Sequence, residues 1–266
     1  MRSLIILIEI KHFSCKHLTR PKQGLYTDAA ATCTDAVIWL TLSTFRNFSW
    51  SAISARSLDV EKFKDADRNI AAVTHNPNGF SLGIIRLGKI GYRIAQKAQT
   101  SFEMKIPYND IRRIPAEIEQ SVNAKFYEKL DDMLADASCV FVATPFPGDR
   151  AMDALHFAMM ERGSRLVNTA RGKLIDKEAL VTALESGHLV SAGLGVHYNE
   201  PTVNQKLAKM ENVQLLSRTA GASIEPYIGF ERLGMENILS FFPTGKTLTA
   251  VNLHWLRGMP KPRVIL

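Results

Sequence analysis

Residues 83–91 read GIIRLGKIG. A short apolar run enters Gly88-Lys89-Ile90-Gly91, so the stretch reads as a buried strand turning into a helix. That is the local shape that presents backbone N–H groups to a phosphate. In the glycine pattern such turns follow, the position two before Gly88 is also glycine; here it is Arg86. A Cβ atom resists the left-handed backbone of a tight turn, which leaves two outcomes open. Either the arginine strains the turn and blocks the ligand, or the turn tolerates it and the guanidinium swings toward the phosphates. Weakened binding is the expectation.

Working outward from this turn, the chain alternates. SLGIIR (81–86) reads as a strand, KIGYRIAQKAQT (89–100) as a helix, and MKIPYND (104–110) as a second strand that Pro107 assigns to an edge or a strand end. AKFYEKLDDMLADA (124–137) contains a helix, CVFVATP (139–145) is a buried strand, and AMDALHFAMMERG (151–163) is helical. SRLVNTA (164–170), VSAGLGVH (190–197) and NVQLLS (212–217) read as strands, with the helix DKEALVTALESG (176–187) among them. Repeated strand–helix alternation of this length predicts an α/β fold, a Rossmann-type doubly wound parallel sheet. Before it, 34–57 reads as one aromatic-rich helix suited to burial against another domain or subunit, followed by the turn HNPNG (75–79). After it, 225–245 reads as a helix opening near Pro226.

The 266 residues are 46% hydrophobic, enough to bury a sizeable core in one large or two smaller domains. The net charge is +7, but lysines and arginines are interleaved with acids, as in EKFKDADR (61–68) and YEKLDD (127–132). No run of like charge marks a nucleic-acid face, so a solvated surface is expected, with a few arginines placed for a small anion. Cys15, Cys33 and Cys139 lie far apart without a paired spacing, which argues against zinc and a disulfide framework and fits a reducing, cytoplasmic setting. LIILIEI (4–10) is broken by Glu9 and reads as a strand rather than a leader, and no apolar run is long enough to span a membrane.

In such a sheet the first strand–helix turn takes a pyrophosphate, with an acidic residue about twenty positions on for the ribose hydroxyls. Asp110, nineteen residues after Gly91 at the end of the second strand, fits that place. Gly88 lets the backbone approach, Gly91 lets helix and strand pack, and the amides of Lys89 and Ile90 join the cradle. Asp110 favours NAD; Arg112 and Arg113 directly after it keep NADP open.

At LVNTARGKLIDKEALVTALESGHLVSAGLGVHYNEP (166–201) a resemblance becomes specific. The order and spacing of NTARG, L-I-D-x-E-A-L and G-L-x-V-H-x-x-E-P resemble the D-isomer-specific 2-hydroxyacid dehydrogenases, which include glyoxylate, hydroxypyruvate and D-phosphoglycerate dehydrogenases. The similarity runs from about Tyr26 to Trp255, and fungal-type members are the most similar. It implies cofactor contacts from Thr144 and Pro145 of ATP (143–145) and from Thr169, Ala170 and position 195. It also implies that Arg171 holds the carboxylate of a small anionic 2-oxo or 2-hydroxy acid, for which a planar guanidinium is suited. Glu200 matches the acid that tunes the family's catalytic histidine, and no metal takes part.

Four departures accompany the resemblance. Arg218, in LLSRTAGAS (215–223), stands where the histidine is expected, and a guanidinium cannot cycle a proton. It either pairs with Glu200 in a silent pocket or polarises the substrate carbonyl while water supplies the proton. Gly195 replaces an expected aspartate and offers the nicotinamide no side chain. Arg86 is the third departure. The fourth is a short N-terminus: residues 1–74 read as the remnant of a substrate lobe with a linker helix, 75–224 as the dinucleotide domain, and 225–266 as a helix and tail returning to that truncated lobe, with a homodimer expected. The expected function is an NAD(P)-dependent oxidoreductase of impaired activity; the alternatives are a catalytically silent dinucleotide-binding or regulatory protein, or a degraded gene product.

Overall fold

The structure is a computed structural model, and it describes residues 27–144 and 152–249. Helices α1 (Thr27–Arg46), α2 (Phe48–Arg56) and α3 (Val60–Val73) precede the alternating part. That part runs β1 (Leu82–Ile85), α4 (Lys89–Phe102), β2 (Ile106–Asn109), α5 (Ala116–Ser121), β3 (Ala124–Phe126), α6 (Leu130–Ala135) and β4 (Cys139–Val142). It continues through α7 (Ala154–Met159), β5 (Ser164–Asn168), α8 (Lys177–Glu185), β6 (Leu189–Leu194), α9 (Gln205–Lys209) and β7 (Val213–Leu215), and α10 (Ile224–Thr244) follows. The seven strands form one sheet in the order β3-β2-β1-β4-β5-β6-β7, and every neighbouring pair is parallel. The expected doubly wound parallel sheet is present, and its order reverses between β1 and β4, where such sheets open a crevice beyond their carboxyl ends.

Because the sheet is covered on both faces, its strands are near-continuous apolar runs. Val140, Val142, Leu166 and Leu194 pack with α6, α7 and α8 on one face. On the other face Leu82, Ile84, Phe141 and Val167 pack with Ile94 and Ala98 of α4 and with Val37, Leu40 and Phe45 of α1. The aromatic-rich helix therefore covers this sheet rather than another domain. A Cβ at Gly193 of β6 would lie 3.1 Å from Leu40 Cβ, and Arg165 of β5, 3% exposed, lies 4.0 Å from the Phe45 ring centroid and donates from Nε to Thr44 O at 3.2 Å. Burial lowers the pKa of Arg165 and pushes the neighbouring Cys139 thiol up to about 12.

Two local readings need correction. The single helix expected over 34–57 is two, because Asn47 takes a left-handed φ of 47° that asparagine tolerates. The charged stretch after it is the exposed helix α3, capped by Asp59, whose Oδ1 accepts the Glu61 and Lys62 amides at 2.9 and 3.3 Å. Of the edge or strand end that Pro107 suggested, the edge is not found: β2 lies between β1 and β3, and Pro107, its second residue, sits near the start of the strand opposite Lys125. The Lys105 amide donates to Phe80 O on the β1 side, so position 107 forgoes only one rung of the same ladder.

Ala30–Ala222 is one compact unit, so most of α1 together with α2 and α3 belongs with the sheet; α10 falls in a second unit. The strand read at 4–10, Cys15 and the apolar tail after 249 lie outside the described residues. No described helix is long and apolar enough to cross a membrane.

Candidate functional site

The parallel ladder sets the candidate residues side by side along the carboxyl edge of the sheet. Arg86 N donates to Asn109 O at 2.7 Å, Ala143 N to Ile85 O at 3.1 Å, Gly195 N to Asn168 O at 2.9 Å and Leu216 N to Leu194 O at 2.9 Å. These bonds bring the segments carrying Asp110, Arg86, Thr144, Thr169, Gly195 and Arg218 into one row. Pro145 lies outside the described residues.

At the β1–α4 turn, Gly88 is the N-cap of a fourteen-residue helix. The first-turn amides of Ile90 and Gly91 therefore have no helical acceptor, which makes them available to an anion. A Cβ at Gly91 would lie 2.7 Å from Arg86 O and 3.1 Å from Ile84 Cγ2, so helix and strand meet here only without a side chain. Arg86 adopts φ 78°, the left-handed backbone that the missing glycine would have taken without strain. Its Nε lies 3.9 Å from the place of a Gly88 Cβ, so the side chain runs beside the turn. Asp110 accepts the Leu87 amide on Oδ2 at 3.1 Å, which fixes the carboxylate beside the turn. Thr144, one strand over, has a buried Oγ1 with no hydrogen-bond partner among the described residues. A buried hydroxyl without a partner is costly, and this one fits a site completed by a ligand. The turn, the Asp110 carboxylate and Thr144 fit a dinucleotide, with the Arg86 side chain beside the turn.

The NTARG loop is shaped by Asn168, 1% exposed, which the sequence reading did not single out. Its Oδ1 accepts the Ala170 amide at 2.9 Å and its Nδ2 donates to Arg171 O at 2.8 Å. Arg171 donates from Nη1 to Ala170 O at 2.7 Å. The next residue, Gly172, was also missed: a Cβ there would lie 2.0 Å from both C and O of His197, so two loops cross backbone to backbone at this point. That crossing is what brings the arginine segment against the segment carrying Glu200. No sequence signal marked it beyond the glycine itself.

Glu200 is held at both oxygens. Oε1 accepts the His197 amide at 2.9 Å, and Oε2 forms an ion pair with Nη1 of Arg218. Of the two outcomes open for Arg218, pairing with Glu200 is the one observed. Their side chains are 43% and 21% exposed for Arg218 and Glu200 respectively, and Arg218 sits at φ 63°. The His197 ring nitrogen Nε2 meets Leu216 O at 2.8 Å, which ties the ends of β6 and β7 together and gives this histidine a structural role. At Gly195 a Cβ would lie 2.9 Å from Thr169 Cγ2, so the space of the expected aspartate is closed by the Thr169 methyl. Among the described residues no group of three or more histidines, cysteines or carboxylates is placed to hold a metal.

Comparison with known proteins identifies the family. Residues 38–220, well over half of the chain, match the D-isomer specific 2-hydroxyacid dehydrogenase, NAD binding domain. The chain is similar to 4-methyl-2-oxopentanoate reductase A of Aspergillus oryzae, at 37% identity over 66% of this chain and 53% of that protein. It is similar to the glyoxylate reductase of Pyrococcus horikoshii, at 33% identity over 83% of this chain and 67% of that one. Among solved structures, the apo form of D-mandelate dehydrogenase from Rhodotorula graminis superposes with a TM-score of 0.80 and 39% identity, covering 85% of this chain and 65% of that one. The chain thus spans about half to two thirds of the length of these relatives. It belongs to the D-isomer specific 2-hydroxyacid dehydrogenase family.

Proposed function

We propose that the chain binds NAD(H) at the β1–α4 turn and retains, at a reduced rate, hydride exchange between the cofactor and C2 of a small 2-oxo or 2-hydroxy acid. When bound, the nicotinamide supplies or accepts the hydride. The pyrophosphate is held by the amides of Ile90 and Gly91, with Arg86 beside the turn, and Asp110 takes a ribose hydroxyl with the oxygen that Leu87 leaves over. Thr144, Pro145, Thr169 and Ala170 line the cofactor's path, and Gly195 leaves the carboxamide without a side-chain partner. Arg171 pairs with the substrate carboxylate. NADP is the second cofactor in this reading.

The observation that carries the reduced rate is the Arg218–Glu200 ion pair. Glu200 is where the family places the partner of a proton donor, and here it neutralises a cation that keeps its protons at any working pH. Water then supplies the proton to the nascent alkoxide, without the roughly hundred- to ten-thousandfold contribution of a positioned acid. A second reading, a silent dinucleotide-binding or regulatory protein, is favoured by the same ion pair together with the Arg86 side chain beside the turn. A homodimer and a cytoplasmic location belong to the same proposal.

Calorimetric titration of the purified chain with NADH and NADPH, before any assay of turnover, tests it. Saturable heat with a raised melting temperature is expected. Neither heat nor a shift at saturating dinucleotide would remove the redox reading altogether.

A further inference from the structure

The segment from β2 to α5 carries two cations, Arg112 and Arg113, just past Asp110. Dinucleotides with and without a 2′-phosphate differ by a dianionic group on that ribose, and a nearby arginine is what accommodates it. Arg112 is exposed. Arg113 is engaged elsewhere: its Nε donates to Glu119 Oε1 at 2.9 Å and its Nη2 to Oε2 at 2.8 Å, a bidentate fork. Glu119 is only 5% exposed although it lies on a short surface helix. The Tyr108 hydroxyl, on β2, donates to the same Oε1 and accepts the Ile114 amide at 3.2 Å. The Arg113 guanidinium also lies 5.7 Å from the Phe126 ring centroid on β3. The lock persists at neutral pH, because the Arg113 hydrogen bonds hold the Glu119 carboxyl below the usual range and burial pushes the Tyr108 phenol up to about 12.

We propose that Glu119 is a specificity-determining positioning residue: it holds Arg113 in a bidentate pair away from the ribose edge, so that the site takes NADH in preference to NADPH. This rests on the dinucleotide reading above. For Arg113 to meet a 2′-phosphate it would have to give up both bonds to Glu119 and leave that carboxylate with the Tyr108 hydroxyl alone, which is unfavourable. While it stays, the charges of Arg113 and Glu119 offset each other within the pair. Discrimination here comes from a cation withheld as much as from a carboxylate presented.

The test is calorimetric titration of NADH and NADPH into the wild type, Glu119→Gln, Arg113→Met and the double variant. The wild type is expected to bind NADH at least about tenfold more tightly than NADPH, the scale of one charge-assisted contact. In Glu119→Gln the released Arg113 raises NADPH affinity about tenfold relative to NADH, and adding Arg113→Met abolishes that gain. Arg113→Met alone, which keeps an aliphatic stem on Phe126, leaves the wild-type ratio unchanged. Equal affinities in the wild type, an unmoved ratio in Glu119→Gln, or selective loss of NADPH in Arg113→Met would each overturn the proposal. Should Glu119→Gln fail to fold, the wild type and Arg113→Met decide by the same criteria. If no variant binds either dinucleotide, the site reading itself falls and the proposal falls with it.

Discussion

Replacing Arg218 by histidine removes the guanidinium that occupies Glu200 Oε2 and puts a titratable ring in its place. The fold should tolerate the change. The lost ion pair joins side chains 43% and 21% exposed, and a pair so open to solvent contributes only about 0–1 kcal/mol. The left-handed φ of 63° at this position is one that histidine adopts more readily than most residues, which offsets part of that loss. A change in melting temperature of no more than about 4 °C is therefore expected. Glu200 remains oriented, because Oε1 keeps the His197 amide at 2.9 Å, and its charge favours the imidazolium form. A positioned general acid contributes about 10²–10⁴ in rate, or about 2.7–5.5 kcal/mol of barrier. With Gly195 and Arg86 unaltered, a gain near the lower figure is expected. The assay is oxidation of NADH followed by absorbance with glyoxylate, together with NADH affinity by calorimetry. The sign of the pH dependence is fixed: the acid must carry its proton, so the rate in the variant falls as pH rises through an imidazole pKa raised above about 6.5, whereas the wild type lacks that limb. A variant that binds NADH like the wild type, yet turns over no faster and shows no such limb, would refute the idea that the missing acid limits this chain. The silent, binding-only reading would then stand.

Three further changes probe the rest of the site. Arg86→Gly relieves a left-handed backbone that costs a side-chain-bearing residue about 1–2 kcal/mol, less the extra entropy of an unfolded glycine, about 0.5–1 kcal/mol; a small rise in urea midpoint and tighter NADH binding are expected, and unchanged affinity would show that the side chain is no obstruction. Thr144→Val removes a buried hydroxyl that has no partner among the described residues, so the free protein should gain about 1 kcal/mol while NADH binding weakens; loss of stability instead would mean the hydroxyl is satisfied. For Glu119 the folded-state pKa lies below the ordinary 4.5, so its contribution is present above that value and is lost as pH falls through the depressed folded value. Glu119→Gln should accordingly flatten the acid limb of melting temperature against pH below about 4.5, and an unchanged limb would show that this carboxylate is not responsible for it.

The architecture was legible because a parallel sheet covered on both faces writes its central strands as apolar runs, and LGII and CVFV are buried along their whole length. Short elements carried too few residues to show a period: β3 has three residues and α5 six. The edge that Pro107 suggested misled because the rule for proline weighs one lost donor, whereas the strand keeps its other rungs. Arg171, Glu200 and Arg218 could be read from motif order alone, and the pairing of the last two was one of the outcomes foreseen. The crossing at Gly172 could not, since the backbone it meets is twenty-five residues away at His197. The same holds for Glu119, whose helix sequence AEIEQS reads as surface; only the fold carries Tyr108 and Arg113 to it.

The two left-handed arginines of the site differ in a way that bears on what the chain can still do. A strained backbone persists only where its surroundings determine it. At Arg86 they do so without help from the side chain. The residue's own amide is committed to Asn109 O at 2.7 Å, the next amide is committed to Asp110, and Gly91 lies against the Arg86 carbonyl with no room for a Cβ. The contacts that hold the turn are therefore made by the backbone of β1, β2 and α4 and not by the Arg86 side chain. At Arg218 the side chain itself is engaged, because the guanidinium takes Glu200 Oε2, the oxygen that the proposed function assigns to the partner of a proton donor. In the proposed function, cofactor binding and proton delivery are therefore separable: Arg86→Gly should move dinucleotide affinity and Arg218→His the rate, each without the other.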